Sequence, residues 1–467
     1  VPGNPSTVPG PTGSPAWTLT TSGFTVPPIG STAVVNVADT TWAVVGEYVW
    51  VATAGGNAST PMALQIQSKT ASSLTLLNPP IGSMAPSGDA QNLLTLGSDS
   101  LLYLPPSAIQ PTIWSARLRS FNAVGNPNFE VDQRLIHQIN PALPNGTFIC
   151  DRFVVQQNGT MVVSGGSAVG GTSIPGTSFN ITNSQATVQL TTQLASLGAG
   201  NYLFIHHTVE GSNWRELSND VTSLSLLVYS SVAPLKFSVA LRSPDFTQSL
   251  VKLCTVSTAN IWTLISLPNI PKPTSGNFST SPGVAGYGLA VTLASGTTFI
   301  APAADTWQNG NFLGAPGMSN WCANPVGSNF YCAFIQHEPG PLCSTLIDKP
   351  FSANLDECSR YYQKTYSYGG KPSAVDSTGV IVLQTQANTN PLGPVRFHKP
   401  MAKSPAITAY SDGTGSSGAV RDLYASGDRA VTGVFNPNDS GFGGFALSTN
   451  NASQTLYTFH YTADTGW

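Results

Sequence analysis

Between Asp151 and His337, short apolar and β-branched runs recur at near-regular intervals, each closed by Gly, Pro, Asn or Asp, with no helical pattern between them. The main runs are Phe153 to Gln156, Gly159 to Ser164, Ala186 to Leu190, Tyr202 to His207 and Ser223 to Ser230. They continue with Lys236 to Leu241, Val251 to Val256, Tyr287 to Leu293 and Phe330 to Ile335. Runs of this length and spacing predict antiparallel strands layered as a sandwich or jelly roll. Few other arrangements bury so many short strands without covering helices.

The flanks read the same way. Ala33 to Val37, Tyr48 to Val51, Ala63 to Gln67 and Ser73 to Leu76 predict a small β module. Beyond Lys371, the segments Gly379 to Thr385, Pro394 to Phe397, Ala406 to Ala409, Ala430 to Phe435, Gly443 to Leu447 and Tyr457 to Tyr461 predict a further β domain. One short helix is expected within Ser352 to Lys364, where Leu355, Cys358 and Tyr362 would share a side. Asn354 followed by Glu357 resembles a capping box, and Arg360 and Lys364 suit the C-terminal end. So short a helix needs packing, so Tyr361 or Tyr362 is expected to lie against a sandwich. The expected organisation is an all-β chain with a stub over residues 1–16, a small β module over 17–105 and a linker over 106–119. A jelly-roll β-sandwich over 120–350, a helical connector over 351–370 and a C-terminal β-sandwich over 371–467 complete it.

Charged residues make up only 9% of the chain and the formal charge is −3, so no basic footprint points to nucleic acid. No apolar run approaches the roughly 18 residues that membrane insertion as a helix requires. The chain opens Val-Pro-Gly, which reads as a processed or partial beginning. Six cysteines lack the paired spacing of a zinc site. Buried free thiols are the simplest reading, with Cys322/Cys332 and Cys343/Cys358 as possible disulfides.

Gly10-Pro11-Thr12-Gly13-Ser14-Pro15 resembles two collagen triplets. After it come a threonine-rich lead into Phe24 and Pro27, the Asp39 to Trp42 turn, the Val45-Gly46 step and a strand ending at Leu77-Asn78. This stretch resembles a small β module that accompanies collagen-like repeats in tailed-bacteriophage fibre and decoration proteins. A second set of segments comprises Asn122 to Arg134, Cys150 to Phe153, Val209 to Gly211, Ile261 to Thr263, Gln336 to Gly340 and Asp356 to Tyr362. In that order they resemble a phage virion β-sandwich related in shape to carbohydrate-binding modules. His337 stands where the family usually has an apolar residue, and Phe153 where Trp is common. Ala406 to Tyr410 and His460 to Asp464 resemble the tail of the same family. The resemblance implies a homotrimeric fibre or spike on the virion exterior, the head favoured over the tail, with other virion proteins as partners.

No convergent reactive set stands out, and neither a cofactor nor a metal is expected. His206 and His207 would point to opposite faces of a strand and could not share a metal with Glu210. Asp132, Asp151, Glu210 and Glu338 are expected to pair with Arg134, Arg152 or Arg360 rather than to act in catalysis. Host-surface glycan would instead need exposed rings for sugar C–H faces and amides for hydroxyls. Trp307, Asn309 and Asn311 in the loop Thr306 to Asn311, with Trp214 and Asn213, are the candidate glycan-binding residues, and Trp262 and Trp321 are further rings. The reading is therefore an adhesive, non-enzymatic fibre protein. A fibre-borne polysaccharide depolymerase and a purely architectural capsid decoration protein are the alternatives.

Overall fold

In the computed structural model the strand-forming runs pair into antiparallel sheets. The residues described are 21, 27–28, 30–41, 43–46, 48–51, 62–78, 95–96, 102–103, 121–169, 184–219, 221–385, 393–448 and 455–467. The expected stub over 1–16, the linker over 106–119 and the Trp42 anchor lie outside them. The chain divides into two compact units, Val1–Trp114 and Ser115–Trp467.

In the first unit, β1 (Thr32–Asn36), β2 (Tyr48–Val51), β3 (Met62–Lys69) and β4 (Ser73–Leu77) form a sheet in the order β1-β4-β3-β2. Alternation places Val35, Leu64, Ile66, Leu74 and Leu76 on one buried face. A two-residue pairing joins β5 (Thr95–Leu96) to β6 (Leu102–Tyr103).

The second unit begins with β7 (Thr147–Cys150), β8 (Phe153–Asn158), β9 (Val162–Val169), β10 (Ser184–Thr192) and β11 (Tyr202–Glu210). Helix α1 (Gly211–Leu217) follows, then β12 (Thr222–Ser230), β13 (Leu235–Arg242), β14 (Gln248–Val256) and β15 (Thr263–Ile270). The long strands β16 (Ala285–Ser295) and β18 (Asn329–Pro339) flank the three-residue β17 (Trp307–Asn309). They make a five-stranded sheet, β15-β12-β18-β10-β9, and a seven-stranded sheet, β17-β14-β13-β16-β11-β8-β7. Leu224, Leu226 and Val228 from the first meet Phe237, Val239 and Leu289 from the second in one core. His337, in place of an apolar residue, is fully buried there, hydrogen-bonded to Tyr287 and, at 2.9 Å, to Thr222. Burial lowers its pKa to about 3, so it serves as a neutral polar pin.

Helix α2 (Phe351–Cys358) ends earlier than its periodicity predicts. Its N-cap is Pro350, whose ring has no acceptor to cap with, and the expected cap residue Asn354 lies within the helix, buried and turned to Asn128. Tyr362 opens β19 (Tyr362–Lys364) instead of continuing the helix. Both Tyr361 and Tyr362 are buried, as their packing role requires. Helix α1 is a second helix where the sequence reading expects only one. The glycine that opens it explains the miss: Gly is a poor helix former, but a Cβ at 211 would sit 2.5 Å from the Ser281 carbonyl oxygen.

The remaining strands are β20 (Ile381–Thr385), β21 (Val395–Arg396), β22 (Ala406–Tyr410), β23 (Ala419–Asp422), β24 (Gly427–Val434), β25 (Gly441–Phe442), β26 (Phe445–Leu447) and β27 (Thr455–Asp464). The ten-residue β27 is their hub, pairing with β19, β20, β22 and β23. Its Tyr457, Phe459 and Tyr461 pack on Phe442, Phe445 and Val420. Arg134 reaches this sheet from the sandwich: it pairs with Asp464, approaches Asp151 at 3.6 Å and lies between the Phe148 and Tyr362 rings.

All six cysteines are free thiols, five of them buried and Cys343 partly exposed. Burial also pushes the Cys254 thiol up to about 12, suppressing the reactive thiolate. Alkylation of the native chain under non-reducing conditions is therefore expected to label Cys343 alone. Denaturation should expose all six, and a mass count below six after denaturation would reveal a disulfide.

Candidate functional site

The outer face of the five-stranded sheet is divided in two. Along one half the segment Pro341 to Pro350 lies over β18. Ser344 donates to both Glu338 oxygens at 2.7 and 2.6 Å, and the Gln336 amide bonds Ser344 and Ile347 at 2.9 and 2.8 Å. Leu346 covers Leu227, Ala333 and Phe334. A bulge at Leu227/Val228 against Phe334/Cys332 turns two adjacent β18 residues to this outer cluster.

Beyond the bulge the face opens. Tyr229 and Tyr331 stand opposite each other on β12 and β18, their rings stacked 5.1 Å apart at 17°. Trp262 adjoins both, at 5.6 Å from Tyr229 and 6.4 Å from Tyr331. All three rings are partly exposed. Their neighbours Phe330 and Cys332 point into the core, so strand alternation obliges Tyr331 to face out. Amides edge the platform: Asn260 accepts from the Tyr229 hydroxyl at 2.9 Å, and Gln189 donates to Asn329 at 3.0 Å beside Tyr331. Leu264 on edge strand β15 and Ile261 just before it add exposed apolar surface. A face of stacked rings edged by amides can take up the C–H face of a pyranose while bonding its hydroxyls.

A second concavity of about 240 Å³ lies where the sandwich meets α2. Arg152, Glu210, Asn213, Lys349, Arg360 and Lys399 contribute its polar lining. Glu210 ends β11 and is fully buried. Its Oε1 accepts from Gly283 N–H and Arg360 Nη2, both at 2.6 Å, and its Oε2 from Arg360 Nε at 2.9 Å and the Tyr361 hydroxyl at 2.5 Å. Burial alone would raise this carboxyl, but the bonds from Arg360, Tyr361 and Gly283 hold it below its ordinary value.

The structure disperses the residues that sequence reasoning put forward. Trp214 is buried, wedged between Tyr287 and Phe278. Trp307 belongs to edge strand β17 rather than a free loop, with its indole N–H donating to the Pro271 carbonyl at 2.6 Å and Phe278 set edge-on at 5.3 Å. Asn309 accepts from Gln248, and Asn311 from Arg242 at 2.8 Å, so both amide oxygens are used internally. Asn213 lines the cavity, and its amide nitrogen donates to the Ala123 carbonyl at 3.2 Å. Trp321 is fully buried, whereas Trp262 joins the platform. Tyr229 and Tyr331 escaped notice because each sits in a plain alternating strand. Pairing across strands, which no local pattern reports, is what stacks them. Of the acids, Asp151 faces Arg134 and Glu210 pairs with Arg360, while Asp132 accepts from the backbone N–H groups of Arg134, Leu135 and His137. Arg152 takes no acid partner among the described residues, contrary to expectation. His206 packs on Phe204 and His207 on Phe153, on opposite sides of β11.

No family model and no curated protein matches the chain. Among solved structures, TmCBM61 in complex with β-1,4-galactotriose is 10% identical, covering 47% of this chain and 100% of that one at a TM-score of 0.24. The family 11 carbohydrate-binding module from Clostridium thermocellum, in complex with a β-1,3-1,4-mixed-linked tetrasaccharide, is 11% identical, covering 44% and 99% at 0.23. A putative sugar binding protein from Bacteroides thetaiotaomicron is 8% identical, covering 47% and 100% at 0.25.

Replacing Glu210 by Gln puts an N–H₂ against groups that already donate. The variant should lose about 3 kcal/mol of stability, measured by denaturant unfolding. Because the folded pKa is depressed, the Glu210 contribution is complete above the unfolded glutamate pKa and disappears as pH falls through the folded value. The native chain should show this acid-side loss, and Glu210→Gln should lack it.

Proposed function

We propose that the chain is a carbohydrate-binding structural protein without catalytic activity, and that the open half of the five-stranded sheet is its binding face. The observation that carries the reading is the Tyr229–Tyr331 stack with Trp262 beside it, partly exposed on a rigid sheet rather than spent in the core. Flat rings held by strands bind at little cost in side-chain freedom, which suits a shallow, weak sugar site. The acids support a non-catalytic reading through their commitments: Glu210, Asp132 and Glu338 are each bound by several internal donors.

The wider reading rests on the sequence resemblance. It makes the protein a homotrimeric fibre on the exterior of a tailed-phage virion, on the head rather than the tail, contacting other virion proteins and host-surface saccharide. Three weak faces per fibre, repeated over a particle, would turn millimolar contacts into firm adhesion.

Binding of the whole chain to neutral oligosaccharides, first by glycan array and then by calorimetry, tests the platform. Tyr331→Ala and Trp262→Ala should each weaken binding about tenfold, the loss of one ring contact. Unchanged affinity in both would refute the site. Sedimentation equilibrium should return the mass of three chains, and a monomer would overturn the fibre reading.

A further inference from the structure

The cavity between the sandwich and α2 has an uncompensated positive charge. Of the cations around it, Arg360 is paired with Glu210 at 2.6 Å, Lys349 with Glu357 at 2.6 Å, and Lys399 with Asp356. Among the described residues, Arg152 alone is a cation that lines the cavity without an acid. Only 3% exposed, it has no carboxylate within ion-pair distance among the described residues, and its Nε and Nη1, both closed off from solvent, lack any hydrogen-bond partner, while Nη2 donates to the Thr208 carbonyl. The Tyr361 ring lies 3.5 Å from its guanidinium carbon, which fixes the guanidinium plane but supplies no acceptor. Nearby His207 adds no counter-charge: its Nε2 accepts from Gly125 N–H at 3.3 Å and its other nitrogen bonds the Arg152 carbonyl at 3.1 Å.

The backbone tells the same story. Asp151 and Arg152 form the two-residue turn between β7 and β8, and Arg152 has φ 77°, a conformation that favours Gly. An arginine there costs on the order of 1 kcal/mol, and its buried, unpartnered charge costs more. Gly125 packs against the guanidinium: a Cβ at that position would stand 3.4 Å from Arg152 Nε. Backbone strain and unmet polarity of this kind cluster at ligand sites.

We infer that this cavity is a binding site for a carboxylate-bearing sugar unit, an acidic monosaccharide residue whose carboxylate compensates Arg152. A carboxylate in the cavity would supply the opposite charge that the Arg152 guanidinium lacks at short range. The volume, about 240 Å³, exceeds what a lone inorganic anion needs, and Ser212, Asn213 and Phe121 line the rest with hydroxyl, amide and ring. The site is separate from the aromatic platform and does not depend on it.

Calorimetric titration of the whole chain with sodium glucuronate, beside glucose and sodium sulfate at matched ionic strength, tests the inference. Glucuronate should bind saturably at one site per chain, more tightly than either control, and the Tyr331→Ala platform variant should bind it unchanged. Arg152→Met and Asn213→Asp should each lose about tenfold in affinity, the first by removing the cation and the second by placing a competing carboxylate. Asn213 is partly exposed on α1, so Asn213→Asp decides the matter should Arg152→Met fail to fold. Glucuronate binding no tighter than glucose or sulfate, binding abolished by Tyr331→Ala, or full affinity in Asn213→Asp would each overturn the site.

Discussion

One buried carboxylate ties distant segments of the larger unit to one another. Glu210 closes β11 of the sandwich, and its donors arrive from far along the chain: Gly283 from before β16, and Arg360 and Tyr361 from the turn after α2. An ion buried this deeply is tolerable only when its oxygens are filled, so the chain between Glu210 and Arg360, 150 positions apart, must fold to bring the donors in. Tyr361 then fixes the entry to β19, and β19 docks on β27, the hub of the C-terminal sheet. The Arg134 pairing with Asp464 closes the same junction from the other side. The connector is thus less a spacer than a tie between two layers of sheet.

That tie also creates the cavity. Scarce charge is gathered where the sandwich, α2 and the segment around Lys399 converge, and nearly all of it is paired. Arg152 is the exception, and it is held by a strained turn and a ring face rather than an acid. The other candidate surface has the opposite character. The platform of Tyr229, Tyr331 and Trp262 carries no charge and stays open because the segment over β18 covers only the half where Gln336 and Glu338 anchor it. One neutral, stacking face and one cationic hollow on a single sandwich suit chemically different parts of a saccharide.

Much of the fold was legible from residue order. The strands Phe153–Asn158, Tyr202–Glu210 and Thr222–Ser230 stand close to where apolar runs and turn residues put them, since strand formation here follows local pattern and burial. The helix after Pro350 was legible in its existence but not in its end. Tyr362 leaves the helical period because its backbone is claimed by Asp464 on β27, a partner about a hundred residues away. The functional reading from sequence went to tryptophans in turn-rich segments, yet Trp307 was drawn into an edge strand and Trp214 into the core.

By itself, then, the sequence determined the class of architecture: alternating short strands, few charges and many turn residues leave antiparallel layers as the way to bury this chain. It also pointed to burial of Tyr361 or Tyr362, since a helix of two turns has no stability without packing. Only the tertiary structure decided which aromatic rings face solvent. Strand alternation offers each residue one of two faces, but the partner strand and the covering segment choose whether that face is open. The same holds for charge. Arg134, Arg152 and Arg360 look equivalent in sequence, and long-range folding alone places an acid beside the first and third and, among the described residues, leaves the second without one.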